Sequence, residues 1–354
     1  MAKVLIMKLK QYILTTLLPL SIFWVVPNFV SADIISQQFV APDFDRWMYP
    51  YNFNPGSRET GVTFSSVGSG FEQFDDRDGQ LVLGFVTQDE IPAALALTQY
   101  TIQSIEVTLT CSNADNVYDD SVDSWESYDI ETGVPDDDAG RPVELYGAAF
   151  RGGYTGWSFG EDGTFPVGAV RRERNVYPIQ FIDGIPTDVS NSVLDEFTAE
   201  PFAVGTTSTV LPGEVMPSET VLTFSIDVSD PEIQCYFKKS LQDGLMNFVV
   251  NSLHTSQQPG FRDFRGIINP NFHFKESFAV QFGLADAAQL SIVVAIADGD
   301  GIPEDLDGDG SVGIGDVLVV LGSWGSCSCC SSDLNGDGDV NVSDLLALIA
   351  AWDS

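Results

Sequence analysis

A segment of twenty residues near the C-terminus occurs twice, and no other feature restricts the fold of this chain as much. Residues 305–324 read DLDGDGSVGIGDVLVVLGSW, and residues 333–352 read DLNGDGDVNVSDLLALIAAW. The copies lie 28 positions apart and agree at nine of the twenty aligned positions. Repetition at such a period means two copies of one supersecondary unit. Each copy opens with alternating acids around a glycine and runs into an apolar stretch. That stretch holds Val317, Leu318, Val320 and Leu321 in the first copy, and Leu345, Leu346, Leu348 and Ile349 in the second. The pattern predicts two short helices, each burying most of its surface against its twin, with Trp324 and Trp352 as equivalent core plugs.

The acids have the spacing of a calcium loop. Asp305, Asp307 and Asp309 stand at loop positions 1, 3 and 5, Gly310 at the sharp turn, and Asp316 at position 12. Ser311 would offer its carbonyl, and a water would serve at Gly313. The second copy offers Asp333, Asn335, Asp337, the carbonyl of Asp339, Asn341 and Asp344, with Gly338 at the turn. Calcium takes six to eight hard oxygens, which such a loop points inward together. Residues 298–354 hold twelve acids and no Lys or Arg. Two carboxylates about 4 Å apart repel by roughly 4 kcal/mol at an effective dielectric near 20. A module this small has little core energy to oppose such repulsion. Two bound Ca2+ ions are therefore expected, and the module is expected to fold poorly without them.

The tandem pattern resembles a dockerin, a module that tethers secreted proteins to cohesin domains, and the resemblance covers residues 303–354. It implies calcium at both loops and a docking partner, cohesin-like or another cell-surface protein. The polar pair usual at loop positions 10 and 11 is replaced by Ile314-Gly315 and Val342-Ser343. Leu321-Gly322 and Ile349-Ala350 stand where a Lys-Arg pair is common. Trp324-Gly325-Ser326-Cys327 is similar to a variant group in which Trp-Gly precedes Cys.

The N-terminus reads as a signal peptide over residues 1–32. Lys3, Lys8 and Lys10 precede an apolar run from Tyr12 to Val26, and Val30-Ser31-Ala32 fits a signal-peptidase cut. Pro19 and Pro27 interrupt the run, and no later segment is apolar for long enough to span a membrane. A secreted or cell-surface location follows, where disulfides are permitted. Cys111 and Cys235 stand alone in the larger region and pair only if the fold brings them together. Cys327, Cys329 and Cys330 could staple the tail, and the odd count leaves one thiol over.

The fold expected is mainly β. A large β-sandwich or jelly-roll domain spans 33–297, an acidic linker 298–304, and a small all-α calcium-binding domain 305–354. Gln80–Val86, Ile102–Thr110, Val143–Phe150, Val221–Val228, Phe278–Phe282 and Leu290–Ile296 read as strands separated by Gly, Pro and Asp turns. A helix is predicted from Pro231, capped by Asp230 and ended by Gly244, with a strand over Leu245–Leu253. The stretch DGQLVLGF through YTIQSIEVTLT is similar to secreted disaggregatase-related (DNRLRE) sandwiches, which implies a non-catalytic module beside carbohydrate-active enzymes.

Three further groups bear on function. Gly156-Trp157-Ser158-Phe159-Gly160 fits a nucleophile pattern, with His254 or His273 as the base, but no helical pattern follows it and a Gly/aromatic turn is the favoured reading. The acidic run Asp115–Asp138, with Asp119, Asp120, Asp123, Glu126, Asp129, Glu131 and Asp136–Asp138, suits a solvated loop, another calcium site or a glycosidase pair. Trp47, Tyr49, Tyr51, Phe53, Tyr154, Trp157 and Phe159 suit either a core or a sugar-stacking face. A net charge of −35 leaves nothing to neutralise phosphates, so nucleic acid is not a partner. The sequence points to a secreted, non-catalytic surface protein that binds polysaccharide and docks through its tail. A tethered polysaccharide hydrolase and a structural surface protein are the alternatives.

Overall fold

The computed structural model describes residues 32–352 apart from 53–54, 68–72, 129–131, 161–168, 257–267, 298–301, 308, 328 and 336–337. The signal segment (residues 1–31 of it), Phe53, Asp129, Glu131, Asp337 and the first half of the linker thus lie outside the described residues. No described helix is long and apolar enough to cross a membrane.

Ten strands carry the larger region: β1 Ala32–Phe39, β2 Phe44–Met48, β3 Arg77–Val86, β4 Tyr100–Thr110, β5 Val143–Phe150, β6 Val176–Ile182, β7 Ile185–Asp188, β8 Val221–Ile226, β9 Leu245–Ser252 and β10 Gln289–Ala297. They form two antiparallel sheets. One runs β1-β10-β4-β8; the other runs β2-β3-β9-β5-β6-β7, with short strands Phe64–Ser65 and Ala203–Val204 added at β3 and β5. Ile102 and, past a shift of register, the alternate residues Ile105, Val107 and Leu109 of β4 share one buried cluster with Leu290, Ile292 and Val294 of β10. Leu81, Leu83 and Phe85 of β3 and Phe248 and Val250 of β9 join the same cluster from the other sheet. Two antiparallel sheets thus face each other across one core. The larger sheet is buried on its second face too, where Val82 and Val249 pack with Phe44, Met48 and Phe159.

Helix α1, Pro231–Asp243, forms as its end signals predict. Asp230 accepts the N–H groups of Glu232 and Ile233, Pro231 sits in the first turn, and Gly244 closes the helix at φ 77°. A Cβ at Gly244 would stand 2.7 Å from that of Gln88, so glycine serves both conformation and space. Strand β9 starts at the next residue. The strand expected at Phe278–Phe282 is instead a helical turn, Phe278–Gln281. The amides of Gln281 and Phe282 donate to the carbonyls four residues back, and the Phe278 and Phe282 rings meet at 4.2 Å, the contact that an i,i+4 spacing allows.

Buried ion pairs knit β3 to its neighbours. The fully buried Arg77 forks onto Glu144 of β5, with Nε–Oε2 at 2.9 Å and Nη2–Oε1 at 3.1 Å, and donates to the Val189 carbonyl and to Ser192 Oγ. Arg174, equally buried, pairs with Asp75 at 3.0 Å and with Asp78. Segments Asp75–Asp78 and Arg171–Arg174 are thereby held together.

The tail contains helices α2, Ile314–Gly322, and α3, Val342–Ala350, and a two-residue ladder, Gly325–Ser326 with Asp339–Val340. Its small core is built from repeat equivalents: Val312 with Val340 and Val320 with Leu348, flanked by Leu306, Leu334, Val317 and Leu345. The helices do not bury most of their surface, contrary to the sequence expectation. Ile314, Leu318 and Leu321 are half or more exposed, and so are Val342, Leu346 and Ile349. One narrow stripe on each nine-residue helix is enough to fill so small a core. Trp352 packs against that core, but Trp324 is 47% exposed, because the chain turns there into the ladder.

Cys235 bonds to Cys329 rather than to Cys111, tying α1 to the tail across 94 residues. Cys327 bonds to Cys330. Cys111 follows β4 into the core and remains a buried thiol, its pKa pushed up chiefly by burial. Removing one member of a buried charge pair leaves the other unsatisfied. Glu144→Ala is therefore expected to lower the unfolding free energy by about 3–5 kcal/mol, and Arg172→Ala, which breaks the exposed pair with Asp195, by no more than about 1 kcal/mol, as read from urea unfolding.

Candidate metal centre

The first repeat gathers three of its acids. One carboxylate oxygen from each of Asp305, Asp307 and Asp316 lies within 4.8 Å of the other two. The buried member, Asp316, fixes the loop. Its Oδ1 accepts the N–H groups of Leu306 at 2.6 Å and Asp307 at 3.0 Å, and its Oδ2 accepts that of Gly313 at 2.7 Å. These N–H bonds, that of Gly313 foremost, hold the Asp316 carboxyl below its ordinary range. Asp316 thus joins both ends of the loop and sits in the first turn of α2, where a negative charge suits the helix dipole. Asp305 accepts from Asp309 N at 3.1 Å and Gly310 N at 2.8 Å, and Gly310 makes the turn at φ 91°.

Asp307 is exposed and carries the strain of the cluster. The Asp309 N–H pulls its pKa down, but desolvation and the carboxylates of Asp309, Asp316 and Asp305 outweigh it and hold the pKa above the usual range. Asp307 also lies against Gly315: a Cβ there would stand 1.8 Å from its Oδ2. Asp309 stands outside the group of three, its Oδ1 accepting from the backbone and hydroxyl of Ser311.

The second repeat follows the same plan. The buried Asp344 accepts from Asn335 N at 3.2 Å and Asn341 N at 2.8 Å, and Asp333 accepts from Gly338 N at 2.9 Å, with Gly338 at φ 92°. The Asp339 carbonyl is engaged by the Asn341 side chain at 3.0 Å. Both loops are lined by hard oxygens without imidazole or thiolate, a donor set that suits calcium.

The other sequence candidates fare differently. Ser158 is N3 of a single helical turn, and its hydroxyl accepts from the Thr155 N–H at 2.8 Å. Neither histidine bonds to it: His254 Nδ1 meets Ser252 Oγ at 3.0 Å, and His273 Nδ1 meets Ser277 Oγ at 2.9 Å. His273 Nε2 lies 3.3 Å from Glu219 Oε1, which completes a Ser-His-Glu chain. Its serine is buried and its acid is the exposed end, the reverse of what a nucleophile needs. Of the named aromatics, Phe159 is core, under the Arg46 guanidinium at 4.4 Å, whereas Trp157 and Tyr51 are about half exposed. Beside Trp157 a cleft of about 370 Å³ runs between Phe150, Phe181, Tyr236, Lys239 and Asn247. Sequence reasoning missed this cleft, because its walls come from four separate stretches of chain.

No protein-family model matches the chain, and no characterised protein and no solved structure is significantly similar to it.

Two expectations follow. Asp316→Ala removes the acceptor of three loop N–H groups, so calcium affinity at the first loop should fall at least about tenfold, and Asp309→Ala should cost less, as read by titration calorimetry on the full chain. His254 is held down to about 3, by burial first and then by Arg141. Below about pH 6.5 the unfolded chain takes up a proton at this site that the fold refuses, so this contribution to stability is lost as pH falls toward 3. His254→Gln should therefore lose less melting temperature than the parent across that window.

Proposed function

We propose that the chain is a secreted, non-catalytic surface protein whose tail is a dockerin-like, calcium-dependent docking module and whose β-rich part binds polysaccharide. One observation carries the docking reading. The exposed stripes on α2 and α3 are equivalent under the 28-residue repeat: Ile314 with Val342, Leu318 with Leu346, Leu321 with Ile349. Aliphatic side chains that the small core does not need, doubled at equivalent places, are what a partner-binding face requires. Calcium at the two loops would neutralise the acids beside each helix start and fix the angle at which the stripes are presented. The half-exposed Trp157, whose Nε1 donates to the carbonyl of Asp243 in the cleft wall, offers a ring for a sugar to stack on.

The test is retention of the full chain on the cell envelope of the source organism. Retention should need calcium and should be reversed by EGTA. The double variant Leu318→Asp, Leu346→Asp should bind calcium as the parent does and lose at least about tenfold in retention, since each buried leucine contributes roughly 1.5–3 kcal/mol. Retention untouched by both treatments would overturn the docking reading. In a parallel polysaccharide assay, Trp157→Ala should weaken binding, and turnover of any polysaccharide would overturn the non-catalytic one.

A further inference from the structure

The acidic run that follows β4 folds into a second convergence of carboxylates, remote in sequence from the tail. One carboxylate oxygen from each of Asp119, Asp123 and Asp138 lies within 4.8 Å of the other two. Surface acids gather often without purpose, and Asp119 is what sets this group apart. It is only 4% exposed. Its Oδ1 accepts from the Ser121 N–H at 2.9 Å and the Ser121 hydroxyl at 2.8 Å. Its Oδ2 is sealed from solvent and has no hydrogen-bond donor among the described residues. A carboxylate oxygen buried without a partner is costly, and buried charges as a rule are paired or coordinate metals.

Among the described residues no cation is paired with Asp119 itself. Arg141, the guanidinium of this region, binds one oxygen of Asp123 and reaches away to Asp136: Nη1 lies 2.9 Å from Asp123 Oδ2 and 2.6 Å from Asp136 Oδ2, with the Tyr128 ring 4.1 Å from its Cζ. The Tyr128 hydroxyl donates to the same Asp123 oxygen at 2.7 Å. Ser121 also reaches Asp138 Oδ2 at 2.9 Å, so one short segment holds two of the three acids in place.

We propose that Asp119, Asp123 and Asp138 form a third divalent-cation site, of the calcium class, in which Asp119 is the buried ligand. Three carboxylates with a hydroxyl nearby, and neither imidazole nor thiolate, are hard donors of the calcium kind. The ion would join the segment just after β4 to the loop that leads into β5.

The test uses the full chain in which Asp305→Ala and Asp333→Ala disable the tail loops. Terbium titration, read by luminescence sensitised through the Tyr128 and Trp125 side chains and reversed by calcium, should report one remaining site. Asp119→Asn should abolish it. Asp138→Asn, at an exposed position where misfolding is not expected, should weaken it by at least about tenfold with circular dichroism unchanged. No calcium-displaceable binding in the tail-disabled chain, or binding that both Asn variants leave intact, would overturn the proposal. A tail that binds nothing would show instead as equal calcium stoichiometry in the parent and the tail-disabled chain, so the two sites fail separately.

Discussion

Fifty-one carboxylates face sixteen basic side chains in this sequence, so where the few cations sit decides which acids are neutralised. Some arginines stay at the surface, as Arg172 does beside Asp195, but others are sunk into the fold. Arg77 and Arg174 are buried against Glu144, Asp75 and Asp78, where low dielectric makes each pair strong and each unpaired charge costly. Arg141 binds Asp123 and Asp136 together. The tail has no Lys or Arg from residue 298 onward, and its carboxylates accept backbone N–H groups instead. Those bonds shape the loops without removing their charge, which is the ground on which a divalent cation is proposed there.

The repeat acts at two levels in the tail. Each copy contributes the same buried positions, so the core is assembled from equivalent residues: Val312 with Val340, Val320 with Leu348. Each copy also contributes the same exposed positions, and the outer face is therefore doubled by the same operation. A duplication that solved the packing problem once thus produced a second, outward copy of everything the core left over.

Local signals were legible in the sequence, and non-local ones were not. Asp230, Pro231 and Gly244 mark α1 and the start of β9 because cap, first turn and left-handed stop are all read within one helix. Strands β4 and β10 alternate clearly, one face being core. Strand β2 escaped detection because nearly all of Phe44–Met48 is buried, which erases the alternation, and β6 and β7 each contain a proline that reads as a break. At the tail loops, spacing foretold the meeting of Asp305, Asp307 and Asp316. It did not foretell that Asp309 would turn to Ser311, or that Asp316 would be buried as the clasp of the loop. The acidic run after β4 was legible, another calcium site among its readings, but which acids meet was not, because Asp119, Asp123 and Asp138 come together only once the chain before β5 folds back.

The bond between Cys235 and Cys329 gives the handle a second attachment. Were the peptide chain the sole connection, tension on the tail would reach the sheets through β10 alone. The crosslink sends that force straight into α1, whose Phe237 and Leu241 are rooted between the sheets. A pull on the tail is thus borne by the body of the protein, and a reducing environment would turn a rigid bracket into a leash.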